Sequence, residues 1–133
     1  MAKVVLDTDY ARLQYHSDLG VVHHEIKRFI FGQDLRDLLM TGAGLMEEHS
    51  ASKWLSDDAK NGAIPADDAE WAKTVWFPRV KAAGWKHWAI VPPAKAIGQM
   101  SLNRFAELYG GLGVEVKAFA NADDAMAWLR SVQ

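Results

Sequence analysis

Gly84-Trp85-Lys86-His87-Trp88-Ala89-Ile90-Val91-Pro92-Pro93 is the stretch that decides the fold. His87 to Val91 is a short apolar run bounded by glycine on one side and by two prolines on the other. It is too short for a buried helix, and prolines cannot donate into a sheet ladder, so the run reads as a buried strand that stops at Pro92. Helical patterns lie on both sides of it. Downstream, Leu102, Phe105, Ala106 and Tyr109 recur at i, i+3, i+4 and i+7, and Gly110-Gly111 ends the pattern. Upstream, Asp67 with Glu70 suggests a capping box that opens a helix through Trp71, Ala72, Val75 and Trp76. Pro78 has no N–H to continue that helix, so a kink or break is predicted near Phe77. Ala83-Gly84 closes the element.

A strand held between helices needs crossover connections, and the alternation extends both ways. Ser52 to Ser56, with Trp54 and Leu55, reads as a second buried strand. Val114, Val116 and Ala118 alternate as a third, and Asn121 caps a last helix with Ala125, Trp128, Leu129 and Val132 on its apolar side. A first helix begins near Gln33 and carries Leu35, Leu38, Leu39 and Met46 opposite Asp34, Asp37, Glu47 and Glu48. Gly42 and Gly44 inside it cost about 1 kcal/mol each relative to alanine, which close packing against the sheet would explain. The beginning of the chain differs. Val4 to Leu6 is a short apolar run, Ala11, Leu13 and Tyr15 alternate with polar residues, Ser17-Asp18-Leu19-Gly20 is turn chemistry, and Val21 to Ile30 is extended again. The predicted class is therefore α/β: a mixed sheet of about five to six strands, an antiparallel hairpin first and parallel strands later, with four helices packed on it.

The 133 residues suit a single domain over positions 1–133, half hydrophobic and 24% charged. A net charge of −2 speaks against a nucleic-acid partner. Without cysteine there is no disulfide, no thiolate catalysis and no Cys-ligated metal. No apolar run is long enough for membrane insertion and the first residues do not resemble a secretory signal, so a cytoplasmic location is expected. There is no phosphate-binding loop, nucleophile elbow or metalloprotease motif, and Gly42-Ala43-Gly44 falls within a helical pattern rather than after a strand. No catalytic residue, metal or cofactor is assigned.

Two groups of residues remain as candidates. His24 lies between Val22 and Ile26 on a strand and needs a buried partner, which Asp57 or Asp58 would supply. Those carboxylates sit with Lys60 and Asn61 just past the carboxyl end of a central strand, where open α/β sheets tend to bind ligands. His23 points to the opposite face from His24, so the two cannot readily share a metal. The second group is Trp71, Trp76, Phe77 and Arg79. Trp71 and Trp76 are five apart and cannot share one α-helical face cleanly, so one of them is expected to line a partner surface beside Phe77 and Arg79.

The order of elements resembles the SpoIIAA-like fold, which contains the anti-sigma-factor-antagonist (STAS) domains and many small bacterial proteins. The residues that carry the resemblance are His23 to Gly32 leading into Asp34-Leu35-Arg36, Lys53-Trp54-Leu55-Ser56-Asp57-Asp58, Trp71, Trp76-Phe77-Pro78-Arg79, Gly84 to Val91, and Ala125-Met126-Ala127-Trp128-Leu129. The resemblance implies a regulatory domain that associates with a protein partner or with itself as a homodimer. True antagonists carry a phosphorylatable serine after a central strand. Here Asp57-Asp58-Ala59-Lys60-Asn61-Gly62 and Asp67-Asp68 stand in those places, which removes the switch hydroxyl.

Three functional readings follow. The leading one is a non-enzymatic binding or regulatory domain acting through protein–protein association. The first alternative is a module for a small apolar molecule or lipid, with its pocket near His24 and the Asp57–Asn61 loop. The second is a hydrolase that uses His24 with Asp57 or Asp58 as an acid–base pair.

Overall fold

A computed structural model of the chain describes residues 2–132. Strands β1 (Ala2–Asp7), β2 (Ala11–His16) and β3 (Val21–Ile26) form an antiparallel meander. Gly20, at φ +66°, supplies the left-handed residue that closes the second turn, and its amide donates to the His16 carbonyl at 2.8 Å. Strands β4 (Lys53–Asp57), β5 (His87–Val91) and β6 (Glu115–Ala118) continue the same sheet parallel to β3, in the order β1-β2-β3-β4-β5-β6. Strand β3 ends at Ile26 rather than running on to Ile30. Its last neighbour on β4 is Asp57, opposite Glu25, and the Lys27 amide turns away to the Tyr10 carbonyl at 2.9 Å.

The helices are α1 (Gly32–His49), α2 (Ala66–Trp71), α3 (Phe77–Ala82), α4 (Ala96–Gly111) and α5 (Ala122–Ser131), with a π-helical turn over Ala72–Trp76 that joins α2 and α3 into one rod. Each parallel strand is added on the same side of the previous one. Right-handed crossovers that always step in one direction leave their helices on one face of the sheet. Accordingly α1, the α2–α3 rod and α4 share a face, where Leu13, Val22, Ile26, Trp54 and Trp88 meet Leu38, Met46, Trp76, Trp85 and Tyr109. Helix α5 turns back and covers the other face, with Ala125 and Leu129 on Val21, Leu55, Ala89 and Val91. Asn121 caps α5 as expected, its Oδ1 accepting from the Asp124 amide at 2.8 Å. The buried Lys53 ammonium donates to the Leu129 carbonyl at 2.6 Å near the opposite end. Trp128 is half-buried against this smaller cluster rather than in the main core. No helix among the described residues is long and apolar enough to cross a membrane.

Pro78 perturbs its helix by widening it. The Phe77 amide bonds the Ala72 carbonyl, an i→i+5 closure, just before the proline enters α3. The extra residue in that turn also overturns the expectation about Trp71 and Trp76. Residues five apart are brought toward one side by the wider turn, and both tryptophans face the core: Trp76 is buried, and Trp71 packs against the core edge beneath the Arg36 guanidinium, 5.3 Å from the ring centre. The capping box is not formed. Pro65 takes the cap position, and Asp68 instead accepts from the Gly32 amide at 2.8 Å and from Arg36 Nε at 3.1 Å, tying α2 to the start of α1.

On the face that α5 occupies, His16 and His23 stack with ring centroids 5.3 Å apart, and His16 Nε2 lies 3.1 Å from His23 Nδ1. Burial, and then the charges of His16, His24 and Arg12, depress His23 to a pKa of about 3 against an unfolded value near 6.5. Between these values the unfolded chain binds a proton that the native chain refuses, so stability falls as the pH drops from about 6.5 toward 3. Urea midpoints should decrease between pH 7 and pH 5, and His23→Gln should flatten that dependence. Equal slopes in the two proteins would remove His23 as its source.

Candidate functional site

Alternation along the parallel strands aims one side chain in two at the helical face. On β3 these are Val22, His24 and Ile26; on β4, Trp54 and Ser56; on β5, Trp88 and Ile90, with His24 level with Ser56 and Ser56 level with Ile90. Asp58, one residue past β4, keeps the same parity and is also buried. Of these, His24, Ser56, Trp88 and Asp58 form the floor of a chamber of about 50 Å³ at the carboxyl ends of β3 to β5, with Trp54 packed beside His24. Leu35 and Leu39 of α1 and Ala72 and Trp76 of the π turn form part of its walls. Asp68 and Ile64, with Leu102, Phe105 and Tyr109 of α4, complete them.

The polar groups on the floor are bonded in series. The Trp54 indole Nε1–H donates to His24 Nδ1 at 3.0 Å, and His24 Nε2 lies 2.9 Å from Asp58 Oδ1. An indole nitrogen can only donate, so Nδ1 holds the acceptor lone pair and the ring proton sits on Nε2, directed at the carboxylate. Beside this chain the Trp88 indole donates to Ser56 Oγ at 2.8 Å. Asn61 Oδ1 accepts from the Ile30 amide at 3.3 Å and fixes the loop after β4 over the chamber.

One lining group is left unpaired. Tyr109, 1% exposed, has a buried hydroxyl with no hydrogen-bond partner among the described residues. Burial pushes that phenol well above the usual tyrosine range, so it stays protonated and able to donate. An orphaned buried hydroxyl costs free energy unless something in the chamber pairs with it. A second hollow adjoins the chamber. Ile64 and Phe105 are shared with a groove of about 350 Å³ between α2 and α4, whose other walls include Glu70, Lys73, Arg104 and Leu108.

Of the residues singled out by sequence, His24, Asp58 and Asn61 come together at the chamber. Asp57 does not. Strand parity turns it to the opposite face beside Glu25, where burial foremost, with the Glu25 and Asp58 charges, holds its carboxyl above the usual range. Lys60 lines a separate surface hollow with Phe29, Gly62 and Lys95. The expected aromatic partner surface is corrected: Trp76 and Phe77 are 4% and 6% exposed and belong to the core, because the helical rod lays that side on the sheet. Arg79 is engaged by Glu47 through two hydrogen bonds of 2.9 and 2.7 Å. What sequence reasoning missed is Tyr109, taken there as one more apolar position of a helical stripe. The signal was available, since a tyrosine in a buried stripe must find a partner for its hydroxyl.

As chemistry, the arrangement binds more readily than it transfers protons. Both ring nitrogens of His24 are occupied, and its one lone pair, on Nδ1, is taken by the Trp54 indole, so acting as a general base requires it to give up Trp54. Among the described residues no group of three His, Asp or Glu side chains is placed to hold a metal ion. No family model, curated protein or solved structure matches this chain.

Proposed function

We propose that the chain is a binding module for a small organic molecule whose hydroxyl or carbonyl end enters the chamber at the strand ends. The observation that carries this reading is the Tyr109 hydroxyl, buried and without a partner among the described residues, on the wall of a cavity that is apolar apart from the already bonded His24, Ser56, Asp58, Asn61 and Asp68. A pocket of apolar walls with a few convergent polar groups is the usual form of a ligand site. The reading takes up the first alternative drawn from sequence in preference to protein association, whose proposed surface lies largely in the core.

Cyclohexanol is a suitable first probe, because its ring suits the Ile64–Phe105 boundary and its hydroxyl can pair with Tyr109. Trp76 and Trp88 line the chamber and report on occupancy through their fluorescence. For so few heavy atoms a Kd in the millimolar range, about −4 kcal/mol, is expected. Tyr109→Phe should weaken binding about three- to tenfold, the value of one hydrogen bond. A signal that does not saturate, or identical affinity in the variant, would contradict the reading.

A further inference from the structure

We infer that the ligand carries an anionic head, of single negative charge, held in the outer groove by Lys73 and Arg104; this rests on the binding reading above. The two rooms adjoin at Ile64 and Phe105, which line both, so a molecule that reaches Tyr109 past those side chains lays its far end in the groove. The chamber, at about 50 Å³, is too small for more than an end group, and the groove offers about 350 Å³ for the rest. At that far end the chemistry changes from apolar to charged.

Lys73 and Arg104 both line the groove, one from the π turn and the other from α4, and neither has a hydrogen bond or ion pair to a carboxylate among the described residues. Lys27, Arg36 and Arg79 are taken up by Asp7, Asp68 and Glu47, whereas Lys73 and Arg104 belong to the cations without a carboxylate among the described residues and are the two that line this groove. Glu70 is the acidic residue lining the groove. Two cations against one carboxylate leave one net positive charge, on a chain whose overall charge is −2. That local excess matches a monoanion better than a dianion. A planar carboxylate also fits the fork of an arginine guanidinium. The π turn serves both rooms, placing Ala72 and Trp76 on the chamber and Lys73 on the groove. Such turns recur at functional sites. The ligand class is therefore a short amphiphile with a hydroxyl or carbonyl at its inner end, an apolar body and a carboxylate at its outer end.

The test compares trans-4-hydroxycyclohexanecarboxylate with its neutral match, trans-4-(hydroxymethyl)cyclohexanol, and with trans-4-hydroxycyclohexyl phosphate, by calorimetry at low ionic strength. The carboxylate should bind about tenfold more tightly than the neutral diol and more tightly than the phosphate. Lys73→Met and Arg104→Met should each remove about three- to fivefold of the carboxylate's affinity and leave the diol unchanged; 0.5 M salt should narrow the gap between carboxylate and diol. Equal binding of carboxylate and diol would overturn the anionic head while leaving the binding module intact. Tighter binding of the phosphate would overturn the single charge. Absence of saturable binding by any of the three would overturn the module itself and this inference with it.

Discussion

Gly42→Ala is expected to destabilise the protein by about 2 kcal/mol, while Gly44→Ala, two residues along the same helix, is expected to stabilise it by up to about 1 kcal/mol. The difference is entirely one of surroundings. A Cβ at position 42 would overlap the Cη2 atom of Trp54, a fully buried ring. Trp54 is itself held by Trp76 at 5.2 Å and by its bond to His24, so it cannot swing aside. At position 44 the nearest heavy atom is 3.9 Å away, at the end of the flexible Arg79 side chain, so the helix propensity of alanine is gained without a clash. Urea unfolding of the two variants measures both signs. Stabilisation by Gly42→Ala would mean that the Trp54 ring is mobile and the chamber floor less fixed than described.

His24→Leu is expected to cost about 3 kcal/mol, because it leaves the Asp58 carboxylate and the Trp54 indole N–H buried without their partner. The shape of the side chain is roughly kept, so the loss reports the polar chain rather than a cavity. Combining His24→Leu with Asp58→Leu should cost less than the sum of the single changes, by about 1–3 kcal/mol, since the double variant has no stranded carboxylate. Strict additivity in a double-mutant cycle would show that the 2.9 Å contact contributes nothing.

The sequence carried the fold unevenly, for physical reasons. The strand at His87–Val91 matches its expected bounds because proline and glycine mark its ends. The mixed sheet follows because helices between strands demand parallel pairing, whereas the hairpin signals at the start demand the opposite. The Asp67–Glu70 capping box failed because tertiary demand won: Asp68 had a better use joining α2 to α1. At the site, the pairing of His24 with a carboxylate was legible from burial alone. The choice of Asp58 over Asp57 depended on which face of β4 shares a side with His24, a matter of register between strands far apart in sequence. The burial of Trp76 and Phe77 depended on the π turn, which α-helical spacing misplaces. Tyr109 was hidden because an apolar stripe and a ligand wall look alike until the partner of each polar atom is counted.

The most direct test of the account is a crystal structure of the protein soaked in cyclohexanol. The account predicts density for the alcohol across the Ile64–Phe105 boundary, its oxygen within hydrogen-bond distance of the Tyr109 hydroxyl and the Trp54–His24–Asp58 chain undisturbed. A chamber that stays empty at a saturating concentration, or a Tyr109 hydroxyl bonded to a neighbouring protein group, would contradict it.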